Sequence, residues 1–366
     1  MDRATIEVYE REGANYAERR GVQRPERAVA FAAAVDALGP DARRLDLGCG
    51  PGHYLDLLGR PAVALDGALA MVTAARATAP DVPAVRGDLA DLPFARGAFA
   101  GLWASKSYQH LAPTDLPLAL ADAHRVLRVG GRLDLIVFRG EGEVVTDADG
   151  TDDLPGRYFA WWDPDRLTAV VEAAGFSVDE RTVTPTGDGH AQIHVVATAL
   201  RALPDHVAAG MRLLCCGLNP SLHAADAGVG YVTGSNRFWP AMALAGLATR
   251  DRDPRYLVRH DHVGMTDLVK RATARADELS RGEYRAGVDR LAALCDWLRP
   301  GALAVVGLAG WRAAVDRKAT VGWQPAPLGP TPVYVLPSTS GLNARVPLAD
   351  LAEHLRAAAA GPPAAA

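Results

Sequence analysis

The sequence predicts an α/β protein built as two units, and three observations predict it. The chain has 366 residues, which makes two domains at about 100–200 residues each. Its first half alternates strand-like and helix-like stretches, the pattern of a parallel sheet with helices on both faces. A fresh apolar strand-like run, Met211-Arg212-Leu213-Leu214-Cys215-Cys216, then opens just after a short intervening segment.

In the first half, small apolar residues from Ala28 to Leu38 predict a helix, followed by a strand at Arg43–Leu47 and a glycine-rich turn. A helix is expected from about His53, a strand at Ala62–Leu65, a helix around Ala68–Ala79 and a strand at Ala84–Arg86. Ala98–Ala104 reads as a strand and Leu116–Leu127 as a helix, and a turn at Gly130-Gly131 leads into a strand at Arg132–Phe138. The acidic, Gly-containing stretch Glu141–Leu154 reads as a loop or lid. A helix at Asp163–Gly175 ends at glycine, and strands at Phe176–Thr182 and Ile193–Ala199 close the unit. Residues 1–200 thus form one domain, 201–210 a linker and 211–357 a second domain. The Ala/Pro-rich residues 358–366 are expected to be a disordered tail.

Composition narrows the function classes. No apolar run approaches the roughly 18 residues of a membrane span. The polar start Met1–Glu7 lacks the apolar stretch of a secretory signal, so a cytoplasmic protein without membrane contact is expected. The four cysteines, Cys49, Cys215, Cys216 and Cys295, form no CxxC pair, so no metal site is expected and the thiols are expected to be reduced. Residues 1–200 hold 20 basic against 29 acidic residues, and the remainder 19 against 14. The asymmetry places any phosphate-binding surface in the second half.

The first candidate site follows the strand ending at Leu47. In Leu45-Asp46-Leu47-Gly48-Cys49-Gly50-Pro51-Gly52, Gly48, Gly50 and Gly52 let a ligand approach the backbone between strand and helix. Asp46 places a carboxylate at the strand tip, Asp66 ends the next strand, and Asp88 and Leu89 follow the third. With Arg125-Val126-Leu127-Arg128-Val129-Gly130-Gly131-Arg132-Leu133, these features resemble the class I S-adenosylmethionine-dependent methyltransferases over roughly residues 1–200. Val129 departs from the family's usual proline. The resemblance implies a Rossmann-like fold and S-adenosylmethionine as cofactor. Asp46 would lie near its methionine end, Asp66 at the ribose, and Asp88 with Leu89 by the adenine.

The methyl acceptor stays open. Ala104-Ser105-Lys106-Ser107-Tyr108-Gln109-His110 lacks the Asn/Asp-Pro-Pro-aromatic loop of base-amine methylation, and the chain has no Pro-Cys dipeptide for cytosine C5 chemistry. Small-molecule, protein or RNA acceptors remain. His110 reads either as a general base or as a loop histidine. Tyr158, Trp161 and Trp162 read either as acceptor-pocket walls or as core aromatics.

The second candidate site gathers Gly217-Leu218-Asn219-Pro220-Ser221, Gly234-Ser235-Asn236-Arg237-Phe238-Trp239 and Leu336-Pro337-Ser338-Thr339-Ser340-Gly341-Leu342-Asn343-Ala344-Arg345. Asn-Pro alone is a common turn dipeptide. In this order, however, the segments resemble the mismatch-specific uracil-DNA glycosylases, the bacterial branch of the thymine-DNA glycosylase family, over roughly residues 206–357. The resemblance implies a second α/β/α unit of uracil-DNA-glycosylase-like fold. Strand-like runs at Leu213–Cys216, Ala302–Val306 and Pro332–Leu336 agree with it.

That resemblance assigns roles residue by residue. Asn219 would position the water that attacks C1′ of a flipped nucleotide, and Gly217 would line the base pocket. Tyr231 would stack on the base, worth about 1–3 kcal/mol, while Phe238 and Trp239 read as the start of a core helix. Ser221 stands where the family has glycine, and Ala224 where a small residue abuts the pyrimidine C5. Asp267 falls where relatives carry Asn or Lys to read the base edge, and it reads equally as a cap. Ser340, Gly341, Leu342 and Asn343 match the wedge that fills the vacated space, and Arg345 would hold phosphate.

The implied protein joins two enzymes. One is a methyltransferase of open acceptor. The other is a cofactor-free glycosylase that removes uracil or thymine opposite guanine from double-stranded DNA, as a nucleoid-associated repair enzyme. No lysine lies in the Gly-Leu-Asn-Pro motif, so an abasic product without strand cleavage is expected. In an alternative reading, the methyltransferase is the main enzyme and the second unit a binding module whose catalysis has decayed. In a third, fusion only co-localises or stabilises the two units.

Overall fold

The computed structural model describes residues 2–147, 152–186, 189–341 and 345–363. The chain divides into two compact units, Met1–Leu200 and Arg201–Ala366.

The first unit begins with two helices, α1 (Arg3–Arg19) and α2 (Pro25–Asp36). The sequence reading had not anticipated α1. Asp2 caps it, accepting from the Thr5 backbone N–H at 2.7 Å, which satisfies a donor that the first helical turn leaves free. Next come β1 (Arg44–Leu47), α3 (Leu55–Leu58), β2 (Ala62–Asp66), α4 (Leu69–Thr78), β3 (Ala84–Arg86) and β4 (Phe99–Ser105). The unit continues through α5 (Leu116–Val126), β5 (Leu127–Phe138), β6 (Glu143–Val145), β7 (Tyr158–Ala160), α6 (Pro164–Ala173), β8 (Phe176–Pro185) and β9 (Ala191–Ala199).

Seven strands form one sheet in the order β3-β2-β1-β4-β5-β9-β8. All pair in parallel up to β5, and β9 and β8 close the sheet antiparallel. The order reverses direction between β1 and β4, the crevice where open parallel sheets bind ligands. Phe31, Val35, Trp103 and Ile136 pack in one buried cluster, and Leu55, Ala64, Val72 and Ala75 in another.

Two expectations change here. Strand β5 starts at Leu127, ahead of the expected Arg132, because Gly130-Gly131 is absorbed as an irregularity: the register against β4 shifts between Phe99 and Gly101. A bulge of this kind keeps pairing while re-aiming the strand. Part of the expected loop at Glu141–Leu154 is strand β6, paired antiparallel with β7.

The second unit carries β10 (Leu213–Gly217), α7 (Leu222–Ala227), α8 (Phe238–Leu244), α9 (Pro254–Asp261), β11 (Val263–Asp267) and α10 (Arg281–Leu298). It ends with β12 (Leu303–Val306), α11 (Leu308–Ala314), β13 (Gly322–Trp323), β14 (Val333–Leu336) and α12 (Leu348–Ala360). Its sheet runs β11-β10-β12-β14-β13, parallel except for β13. Side chains alternate across a strand. Leu214 and Cys216 therefore join the cluster under α10 with Leu291, Leu294 and Trp311, while Leu213 and Cys215 join Phe238, Trp239, Leu351 and Leu355 on the other face. Burial on both faces explains why β10 is apolar throughout.

Residues 201–210, expected as a linker, are built into this unit. Ala202, Leu203, Asp205, His206 and Val207 are buried, and His206 and Met265 exchange backbone hydrogen bonds of 2.9 Å. The segment reads as a linker because a new strand begins just after it, yet it pairs with β11. The expected disordered tail is likewise corrected: α12 runs to Ala360 with Ala358 buried, and residues 364–366 lie outside the described residues. Alanine favours helix, and Leu351 and Leu355 anchor it.

Candidate active sites

In the first unit a cavity of about 860 Å3 opens beyond the ends of β1 and β4, lined by Asp46, Gly48, Gly50, Asp66, Leu89 and Ser107 among others. Gly48 has φ +72°, and a Cβ there would lie 2.3 Å from the Ser107 Cβ, so only glycine lets the two strand ends meet. Asp66 holds the turn. One of its carboxylate oxygens accepts the Gly50 N–H and the other the Ala68 N–H, both at 2.9 Å. Asp46 is 2% exposed, and its Oδ2 has no hydrogen-bond partner among the described residues. Burial, with the Asp66 charge adding, pushes the Asp46 carboxyl up to about 8.

Asp88 follows β3. It is exposed and accepts the Ala90 N–H at 2.9 Å, and the neighbouring Leu89 lines the cavity.

Tyr9 and Tyr16 bring α1 to the cavity, their rings edge to face at 5.4 Å. The Tyr9 hydroxyl lies 3.1 Å from His110 Nε2, and His110 Nδ1 lies 2.7 Å from the Tyr158 carbonyl. A carbonyl only accepts, so Nδ1 carries the proton and Nε2 accepts from Tyr9. Burial pushes His110 down to about 4, which keeps the ring neutral. Arg157 donates to the Tyr9 hydroxyl at 3.0 Å and is ion-paired with Asp152. Trp161 lines the cavity, whereas Trp162 is buried in the core and Tyr158 donates its hydroxyl to Glu143. The sequence reading missed Tyr9, Tyr16 and Arg157. Two tyrosines seven apart fall on one helix face, a signal that was available.

In the second unit Asn219 lies two residues past the tip of β10. Its Nδ2 donates to Thr273 Oγ1 at 2.7 Å, to the Arg271 carbonyl at 3.1 Å and to the Pro220 carbonyl at 3.3 Å. Two of these partners are carbonyls, so the amide orientation is imposed and Oδ1 is the end left to act as acceptor. Thr273 is a positioning residue that sequence reading missed, 54 residues away in the chain. Ser221 caps α7, accepting the Ala224 N–H at 3.1 Å, and Ala224 is buried.

Gly217 pairs with Asp267 across β10 and β11. A Cβ on Gly217 would lie 2.2 Å from Asp267 Oδ1 and 2.9 Å from the Tyr231 hydroxyl, so glycine is required where the two side chains converge. Tyr231 has φ +57° and stacks on Phe238, with centroids 4.1 Å apart and planes 20° from parallel. Its hydroxyl is buried and has no partner among the described residues. Asp267 ends β11 and caps no helix among the described residues, and burial pushes its carboxyl up to about 6. Behind it, Asp205 (1% exposed) accepts from Lys270 at 2.6 Å, Arg290 at 2.7 Å and Thr266 at 2.7 Å.

Gly341 packs on Ser235, and the Arg237 N–H donates to the Thr339 carbonyl at 2.9 Å, which ties the Ser340 segment to the loop before α8. Arg345 is exposed. Leu342 and Asn343 lie outside the described residues.

Residues 45–135 match the family model of a methyltransferase domain, and residues 204–358 that of the uracil DNA glycosylase superfamily. Solved structures similar to the chain include a SAM-dependent methyltransferase from Methanosarcina mazei. It is 16% identical, with 50% of this chain and 99% of that one covered and a TM-score of 0.42. Another is the 1,6-didemethyltoxoflavin-N1-methyltransferase of Burkholderia thailandensis, 22% identical over 53% of this chain and 88% of that one, TM-score 0.40. The chain therefore contains a Rossmann-like methyltransferase domain followed by a domain of the uracil DNA glycosylase superfamily.

Proposed function

We propose that this chain, a methyltransferase domain joined to a uracil DNA glycosylase superfamily domain, works as two enzymes. The second hydrolyses the N-glycosidic bond of uracil or thymine opposite guanine in duplex DNA. The first transfers a methyl group from S-adenosylmethionine to a small molecule.

The observation that carries the glycosylase reading is the orientation of Asn219. A flipped nucleotide needs a water held at C1′, and Asn219 offers a carbonyl oxygen whose direction is set by three acceptors behind it. The C1′–N1 bond breaks with its electron pair going to the base, the water oxygen bonds to C1′, and the water proton is lost to the departing base or solvent. Tyr231, with one face on Phe238, has its other face for the base. Arg345 and the Ser340–Asn343 segment would meet DNA. The Gly217-Leu218-Asn219-Pro220 motif holds no lysine to form a Schiff base, so the product is an abasic site in an intact strand.

The methyltransferase residues fit a sulfonium cofactor with an ammonium group. Asp46 has a buried carboxylate oxygen lacking a partner, and the Gly48 and Gly50 backbone leaves space for close approach. Bound S-adenosylmethionine would supply the electrophilic methyl group. Asp46 would hold its ammonium, Asp66 its ribose, and Leu89 its adenine. The acceptor is read as small because α1 and β6 wall in the cavity. The Tyr158 N–H donates to Thr5 Oγ1 at 2.8 Å, Arg20 pairs with Asp153 at 2.5 Å, and Val144 and Val145 line the chamber.

The deciding experiment is excision from duplexes carrying one G:U, G:T or A:U pair, read by alkaline cleavage, with Asn219→Ala alongside. Excision from G:U that Asn219→Ala abolishes supports the reading. Folded protein inert on all three duplexes overturns it and favours a binding module beside the methyltransferase.

A further inference from the structure

Asp267 is 7% exposed, and among the described residues no donor reaches its carboxylate. The two nearby cations are committed elsewhere: Lys270 bonds Asp205 and the Leu203 carbonyl, and Arg290 bonds Asp205, Thr266 and the Asp267 backbone oxygen. The partnerless Tyr231 hydroxyl converges on the same point beside Gly217. A buried carboxyl and a buried hydroxyl, both beside Gly217 and both without partners among the described residues, are groups that a ligand completes.

We propose that Asp267 faces the edge of the flipped base and gates excision by its protonation state. The inference rests on the glycosylase reading above. Neutral, Asp267 donates a hydrogen bond to a carbonyl of an imide-edged pyrimidine while the glycosidic electron pair moves onto the ring. Its own proton stays on the carboxyl. Ionised, it can only accept, and its charge opposes a base leaving as an anion. Uracil and thymine are therefore excised faster in acid.

The other groups facing Asp267 do not titrate across the working range. Burial pushes the Cys216 thiol and Tyr231 hydroxyl upward, so both stay protonated. His206 is pushed down to about 4 and is neutral, and Asp205 is held below its usual range by Arg290 and Lys270 against its burial. With Lys270 and Arg290 ion-paired to Asp205, Asp267 is the group that changes charge, at about 6.

The test is single-turnover excision from a G:U duplex between pH 5.5 and 8.5, with wild type, Asp267→Asn and Asn219→Ala. The wild-type rate should fall about tenfold per pH unit above 6. Asp267→Asn, neutral throughout and still able to donate, should be flat, and at pH 8 about a hundredfold faster than wild type. Parallel or flat profiles with Asn219-dependent excision intact overturn the gate and spare the glycosylase. A flat wild-type profile alone is sufficient to do so, should the Asn variant not fold. Absence of Asn219-dependent excision at every pH removes the glycosylase reading and the gate with it.

Discussion

Binding of S-adenosylmethionine should release a proton and tighten as pH rises, because its ammonium group meets Asp46. The Asp46 carboxyl is buried, has an orphaned oxygen, and sits at about 8, pushed there by burial and then by Asp66. Below that pH the free protein holds Asp46 protonated, and only the ionised form attracts a cation. The ionised fraction, and with it the association constant, should rise about tenfold per unit between pH 5.5 and 7. At pH 7 about nine-tenths of the molecules must lose this proton on binding. Titration calorimetry in two buffers of different ionisation heat reads both the affinity and the proton count. Asp46→Asn should remove the pH dependence and weaken binding at pH 8 by about 10–100-fold, the worth of a charged hydrogen bond. The stability sign is opposite. A carboxyl raised in the folded state favours folding most below about pH 4, and that contribution is lost as pH rises through about 8. Asp46→Asn should therefore melt higher than wild type at pH 8. Wild-type affinity that is flat from pH 5.5 to 7.5, with no proton released, refutes the placement of the ammonium at Asp46.

Other perturbations separate site from scaffold. Gly48→Ala should abolish cofactor binding and destabilise the first unit by about 1–3 kcal/mol, since a Cβ would meet Ser107 at 2.3 Å with φ at +72°; calorimetry and thermal melting check it. Thr273→Val removes the hydroxyl that accepts from Asn219 at 2.7 Å and should slow G:U excision about 10–100-fold by loosening the water-positioning amide. Its melting temperature should stay near that of wild type, and an unchanged rate would count against the role of Asn219. Asp205→Ala strands Lys270 and Arg290 and should cost about 3–5 kcal/mol. Melting should follow it down by roughly 10 °C or more.

What was legible in the sequence was local. Strand periodicity, glycine at turns and carboxylates at strand ends are set by neighbours in the chain. So β1, its glycine turn and Asp66 could be read directly, as could β10 running into Asn219 and the opposite faces of Cys215 and Cys216. Leu342 and Asn343, expected as part of a wedge, lie outside the described residues. Segments whose state depends on a distant partner were misread. Residues 201–210 look like a linker until they pair with β11, and alanines beyond residue 357 look like a tail until Leu351 and Leu355 seat the helix. Pairing with β4 likewise pulled the Gly130-Gly131 turn into β5.

Within the sites, the sequence by itself determined which residue types were available, and tertiary structure decided what each could do. Asn219 is an acceptor because Thr273 and two carbonyls take its amide hydrogens. Asp267 lacks a counterion because Asp205 has claimed Lys270 and Arg290. His110 is neutral because it is buried between Tyr9 and the Tyr158 carbonyl. Orientation, desolvation and competition for partners arise among groups far apart in the chain, and they exist only once the fold has brought those groups together.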